Sequence, residues 1–126
     1  MLNIISTFIG GGVGSILRYI IDLSLKSIFP TQIFPYGTFI VNIIGSFLIG
    51  LFISLFLFKI DNMPENFKLM LTTGLCGGLT TFSTFSLNIF ELIKSDQYIF
   101  ALLYLLLSIC LSIILLWVGY NAGKFI

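Results

Sequence analysis

Residues 74–86 read GLCGGLTTFSTFS, with three glycines and five hydroxyl side chains inside an apolar stretch running from about Leu69 to Ile93. A stretch of that length can cross a bilayer as a helix. Each polar group it leaves bare in hydrocarbon is costly, so these groups must be buried against protein or put to use. Gly77 and Gly78 followed by Thr80 and Thr81 favour a break near the membrane midplane, because glycine and β-branched residues both have low helix propensity. Irregular backbone at that depth is tolerated only inside protein or along a cavity, where freed carbonyls can coordinate a cation such as Na+.

The next turn carries a second kind of chemistry. Phe82 and Phe85 stand three residues apart and share a helix face. An aromatic ring has a negative face and a positive edge, so two ring edges can favour an anion without formal charge. Ser83 and Thr84 add hydrogen-bond donors beside them. Phenylalanines at this spacing also serve as ordinary core packing, and the residues alone leave both uses open.

Outward from this segment, the 126 residues are 58% hydrophobic and 9% charged, with no histidine. Soluble domains carry about 25% charged residues, so this is an integral membrane protein. Four apolar stretches are long enough to cross the bilayer: about residues 3–27, 36–58, 67–93 and 98–125. The loops between them are short, which makes consecutive helices antiparallel and the whole chain, 1–126, one all-α four-helix domain. Without histidine, Ser/His/Asp and Cys/His nucleophile arrangements are excluded, and no zinc site is expected. Cys76 and Cys110 lie in apolar segments and are read as packing residues. The first segment has neither a basic leader nor a small-residue cleavage site, so it reads as part of the mature protein. Six basic residues are spread along the chain against five acids, which gives no nucleic-acid footprint. Nothing points to an enzyme.

Membrane orientation normally follows an excess of Lys and Arg on the cytoplasmic side. Lys59, Lys68 and Lys124 fall on the face shared by the N-terminus, the second loop and the C-terminus; Arg18, Lys26 and Lys94 fall toward the other. That balance removes the usual signal, and the expectation is insertion in both orientations with pairing as an antiparallel homodimer.

The remaining helices carry weaker signals. Gly10 and Gly14 form a GxxxG pair, with Gly11 and Ser15 a second small pair, and such spacing lets another backbone approach closely. Arg18, Asp22 and Lys26 form a charged stripe at four-residue intervals, with Arg18 and Asp22 spaced to pair. Charge at that depth favours an aqueous vestibule. Asn42, Ser46 and Gly50 share a face of the second helix; the Asn42 amide can donate to an anion or bond another helix. Tyr104, Ser108 and Ser112 put three hydroxyls within about 80° of one face of the last helix. Trp117, Tyr120 and Lys124 read as interfacial anchors.

Taken together, GGGVGSILRY (Gly10 to Tyr19), GTFIVNIIGSFLIG (Gly37 to Gly50) and GLCGGLTTFSTFS closely resemble the Fluc (CrcB) fluoride channel family across essentially the whole chain. The resemblance implies a dual-topology homodimer in the bacterial inner membrane. Its interface would hold two pores passing fluoride passively out of the cytoplasm. By the same resemblance Phe82, Phe85 and Asn42 line the pores, and Gly77 and Thr80 give backbone carbonyls to a structural Na+. Ser83, Thr84, Tyr104, Ser108 and Ser112 would form a polar track, and Arg18 would stand at the vestibule. Many members place a glutamate two residues after the TFSTFS element, where this chain has Asn88 and its nearest carboxylate is Glu91.

Two other functions compete with this reading. A proton-coupled exporter of the small multidrug resistance kind is also a four-helix dual-topology dimer, but it needs an intramembrane carboxylate, for which only Asp22 is available. A non-transporting assembly subunit would use the small-residue pairs and Asn42 for packing, and would leave the hydroxyls and phenylalanines of residues 80–86 without a use.

Overall fold

The computed structural model describes residues 1–31, 33–60 and 62–126; Gln32 and Asp61, which the sequence places in the first two loops, lie outside the described residues. Among the described residues the chain is all-helical. Helices α1 (Leu2–Ile28), α2 (Tyr36–Phe58) and α6 (Tyr98–Phe125) are each long and apolar enough to cross a membrane. Between α2 and α6 the chain forms α3 (Glu65–Leu69), a π-helical stretch (Met70–Cys76), α4 (Gly77–Leu79) and α5 (Phe82–Lys94). The protein is an α-helical, multi-pass integral membrane protein.

Helix ends follow from local chemistry. Helix α1 stops one residue short of Phe29, and Pro30 beyond it cannot donate to a continuing helix. Pro35 and Pro64 directly precede α2 and α3, where a missing N–H costs nothing. Helix α5 closes on Asp96, whose φ of 58° is the left-handed conformation that ends many helices, with the Gln97 amide bonded to the Leu92 carbonyl at 2.8 Å.

Small residues set the packing and the chain directions. A Cβ on Gly10 would run into the Met70 carbonyl, and one on Gly14 into the Leu75 carbonyl, while one on Gly78 would meet the Gly11 carbonyl. Contacts thus advance along α1 and residues 70–79 together, so these two segments run parallel with backbones in contact. The same holds for α2 and α6. Gly50 abuts the Leu116 carbonyl, Gly119 abuts the Phe47 carbonyl, and Gly123 rests 2.7 Å from the Ser54 Cβ when a Cβ is built on it. The pairs Gly74 and Gly78 and Gly119 and Gly123 are further GxxxG elements that the sequence reading missed, although their spacing was legible. Asp22, near the end of α1, lies against Gly37 at the start of α2, so these helices are antiparallel.

Gly77 and Gly78 followed by Thr80 and Thr81 were expected to interrupt the helix; helical backbone continues through the two glycines, and the interruption falls on the threonines. Thr80 (φ −82°, ψ 157°) and Thr81 (φ −153°, ψ 119°) are extended. The physical reason is that Gly74 and Gly78 are used for close approach to α1, which a helical glycine provides, whereas the threonines find partners outside the helix. The π-helical stretch was not anticipated either. The Thr72 hydroxyl donates to the Lys68 carbonyl at 2.8 Å. That carbonyl would receive the Thr72 amide in an α-helix, and the competition fits a shift to wider pairing.

Phe85, Leu92, Ala101 and Tyr104 form the buried core, with Phe34, Phe39, Ile89 and Leu105 packed against it. Tyr104 is completely buried, its ring perpendicular to Phe34 at 5.3 Å and tilted against Phe85 at 5.2 Å. Most large apolar side chains of α1 and α6 instead face outward, as a lipid-facing surface requires. At one end Lys124 Nζ sits 4.6 Å from the Tyr120 ring and 5.7 Å from Phe58, which brings the C-terminal ends of α2 and α6 together.

Candidate functional site

Two extended residues in a helical segment free backbone groups that need partners, and three side chains supply them. The Thr81 amide donates to Asn42 Oδ1 at 2.8 Å, and Asn42 Nδ2 donates to the Thr81 carbonyl at 3.2 Å. Arg18 Nη1 donates to the Thr80 carbonyl at 3.2 Å. Thr81 then caps α5, its hydroxyl accepting the Thr84 amide at 3.2 Å while it lies 3.1 Å from Thr84 Oγ1 and 3.2 Å from Ser83 Oγ. The break is therefore held from α1 by Arg18, from α2 by Asn42, and from within by Thr81.

This arrangement revises the charged stripe. Arg18 and Asp22 are spaced so that they could pair, but the Asp22 carboxylate takes Lys26 Nζ at 2.6 Å, the only ion pair among the described residues. Arg18 turns to the break instead and donates to the Thr80 carbonyl.

The break opens on a concave face of about 830 Å³. Asn42, Gly77, Thr80, Phe82, Phe85, Ser108 and Ser112 all border it, so seven of the sequence-selected residues, drawn from three regions of the chain, meet on one surface. Phe82 is 80% exposed and Phe85 only 6%, with ring centroids 5.7 Å apart and planes at 39°. Ser108 Oγ is buried with no hydrogen-bond partner among the described residues. Most of the lining is nevertheless apolar, including Ile49, Ile53, Ile109 and Ile113.

Arg18 and Thr84 border a different, smaller cavity of about 280 Å³ with Asp22, Lys26, Thr38 and Asn88. Tyr104 borders neither cavity. It lies between them, touching Phe85 on one side and accepting a hydrogen bond from Asn88 Nδ2 at 3.2 Å on the other. Ser83 is exposed and bonded to Thr81. Ser46, whose hydroxyl returns to the Asn42 carbonyl at 2.7 Å, borders the large cavity as well. So does Thr73, which sequence reading passed over because nothing in its spacing marks the side it faces.

The break also leaves a backbone carbonyl without its helical partner. In a continuous helix the Gly77 carbonyl would accept the Thr81 amide, which here goes to Asn42. A Cβ added to Gly77 meets nothing within 4 Å, so space lies beside that residue. Neutral carbonyl oxygens suit Na+ or a similar ion. No cluster of three or more His, Cys, Asp or Glu able to hold a metal occurs among the described residues.

Residues 5–120 match the family model described as CrcB-like protein, Camphor Resistance (CrcB). The chain is 44% identical over 124 residues to the fluoride-specific ion channel FluC of Flavobacterium psychrophilum, covering 98% of both chains. It is 44% identical over 119 residues to the protein of the same name from Phocaeicola vulgatus, covering 94% of this chain and 96% of that one. Against the Serratia proteamaculans protein, also so named, identity is 40% over 113 residues, 90% of this chain and 87% of the relative. With a family model spanning nearly all of it and relatives matched almost end to end, the chain belongs to the CrcB-like protein family.

Proposed function

We propose that this protein is a passive fluoride channel of the bacterial inner membrane, assembled as an antiparallel homodimer with two pores at its interface. The observation that carries the reading is the gathering of Asn42, Phe82, Phe85, Ser108 and Ser112 on one open face beside an interrupted helix. Relatives that match nearly the whole chain are named as fluoride-specific ion channels. In this reading residues 65–94 make a fourth crossing, with the break inside the membrane, and a second copy covers the open face.

The chemistry of such a path follows from its lining. Fluoride sheds tightly held water only where other dipoles replace it, and a path must hold the ion weakly enough to release it. Ring edges of Phe82 and Phe85 supply positive potential without charge. Asn42 spends one N–H on Thr81 and retains a second for an ion. The unpartnered Ser108 hydroxyl and Ser112 continue the donors along α6, and Tyr104, Thr84 and Ser83 extend them toward the Arg18 cavity. Gly77 and Thr80 carbonyls would hold a structural Na+ at the dimer axis, where the ion would fix the two breaks relative to each other.

Asp22, the carboxylate a proton-coupled exporter would require, is tied to Lys26 near a helix end and stands away from the large cavity. The test is efflux from liposomes loaded with fluoride or with chloride, with voltage clamped by a potassium ionophore. Rapid fluoride release with negligible chloride release is expected; release of neither ion by a folded dimer would overturn the channel reading.

A further inference from the structure

Arg18 and the open face meet at one residue, Thr80. The guanidinium donates to Thr80 O at 3.2 Å from the smaller cavity, while Thr80 itself borders the large one. Because Lys26 holds Asp22, no ion pair compensates the Arg18 charge among the described residues. A carbonyl oxygen has two lone pairs, so it can serve a hydrogen-bond donor and a cation together. We infer that Arg18 is a positioning residue that sets how tightly the break holds Na+, fixing the Thr80 carbonyl while weakening its grip on the ion. This rests on the reading of Gly77 and Thr80 as cation ligands.

The electrostatics give the direction. A hard cation lies about 2.4 Å from an oxygen ligand. Any cation on Thr80 O therefore stands within about 6 Å of the Arg18 nitrogen, whatever its direction. Two unit positive charges that close, in a partly screened protein setting, reduce binding on the order of a hundredfold relative to an uncharged donor at the same place. The benefit of retaining the charge is geometric: a guanidinium bond to a carbonyl is stronger than a neutral one and holds the extended backbone of Thr80 in place. Arg18 thus trades ion affinity for order in the break.

The experiment measures thermal unfolding of the purified protein against Na+ concentration, with N-methylglucamine replacing Na+ at constant chloride. It reads cation binding without any fluoride flux. Arg18→Gln keeps an N–H donor and removes the charge, and its half-saturating Na+ concentration should fall at least tenfold. Arg18→Lys keeps the charge and should stay within about threefold of the native protein. If Arg18→Gln does not assemble, Arg18→His gives the same information. Its half-saturating concentration should fall as pH rises through about 6.5, where imidazole loses its charge. The other titratable groups bordering that cavity are Tyr19, Asp22 and Lys26 of α1, with only Pro35, Gly37, Thr38, Thr84 and Asn88 from α2, its preceding residue and α5. The native protein, run over the same pH range, should show no such change. Equal Na+ dependence in native protein and Arg18→Gln, or a flat profile in Arg18→His, would overturn the inference and leave the cation site standing. No Na+ response in the native protein would overturn the cation site, and the inference with it.

Discussion

Asn42 and Thr81 are joined twice, amide to side-chain oxygen at 2.8 Å and side-chain nitrogen to carbonyl at 3.2 Å. One side chain from α2 thereby replaces the acceptor that the Thr81 amide loses where the helix stops, and also donates to the Thr81 carbonyl at the N-cap of α5. The pairing uses half of the amide's donors and leaves the other N–H for a ligand, so structural and conducting uses of Asn42 are compatible.

Asn42→Ala should lower unfolding free energy by about 1–3 kcal/mol, since it strands the Thr81 amide. Asn42→Asp keeps the acceptor but sets a carboxylate against the Thr81 carbonyl, and should reduce fluoride efflux more than Asn42→Ser, which can donate. Circular-dichroism melting and liposome efflux on the same preparations would check this; equal melting of Asn42→Ala and native protein would contradict the clamp.

The two phenylalanines should separate stability from conduction. Phe85 is 6% exposed and packed on Tyr104, so Phe85→Ala should cost about 3–5 kcal/mol. Phe82 is 80% exposed, and Phe82→Ile should leave the fold intact while cutting fluoride efflux at least tenfold through loss of the ring edge. Native efflux in Phe82→Ile would remove the aromatic-edge assignment for that residue.

Glycine substitutions should sort by what each Cβ would meet. Gly14→Ala forces a Cβ into the Leu75 carbonyl and Gly119→Ala one into the Phe47 carbonyl, and each should destabilise by about 1–3 kcal/mol. A Cβ at Gly12 meets nothing within 4 Å, and Gly12→Ala should be neutral or up to about 1 kcal/mol stabilising. Melting temperatures of the three variants in one detergent would test the order.

Asp22→Asn removes the carboxylate of a half-exposed ion pair that contributes at most about 1 kcal/mol. Fluoride efflux should remain within about threefold of native, and imposing a proton gradient should not alter it. Abolished transport that depends on that gradient would favour the exporter.

Asn88, where the family resemblance implies a glutamate in many members, has a local role in this structure. It donates to the fully buried Tyr104 hydroxyl. Asn88→Leu should cost about 1–3 kcal/mol by leaving that oxygen unpaired, measurable by denaturation in mixed micelles.

Much of this molecule was legible in its residues. The apolar runs placed α1, α2 and α6 to within a residue or two, with Pro30 just beyond α1 and Pro35 just before α2, because helix length in a membrane is set by composition and proline interrupts helical hydrogen bonding. Asn42 and the α6 hydroxyls were marked by chemistry that is expensive in hydrocarbon unless used, and Phe82 and Phe85 by their shared helix face. Tertiary structure alone decided where the chain breaks and who holds it. Glycines at 77 and 78 have low helix propensity, yet both stay helical, with Gly78 packed on the Gly11 backbone of α1; Thr80 and Thr81 leave the helix where Arg18 and Asn42, 62 and 39 residues away, meet their carbonyls and amide. Spacing along a sequence fixes which residues share a face of one helix, but the partner of a freed backbone group depends on which other helix lies beside it, and that is a property of the packed chain.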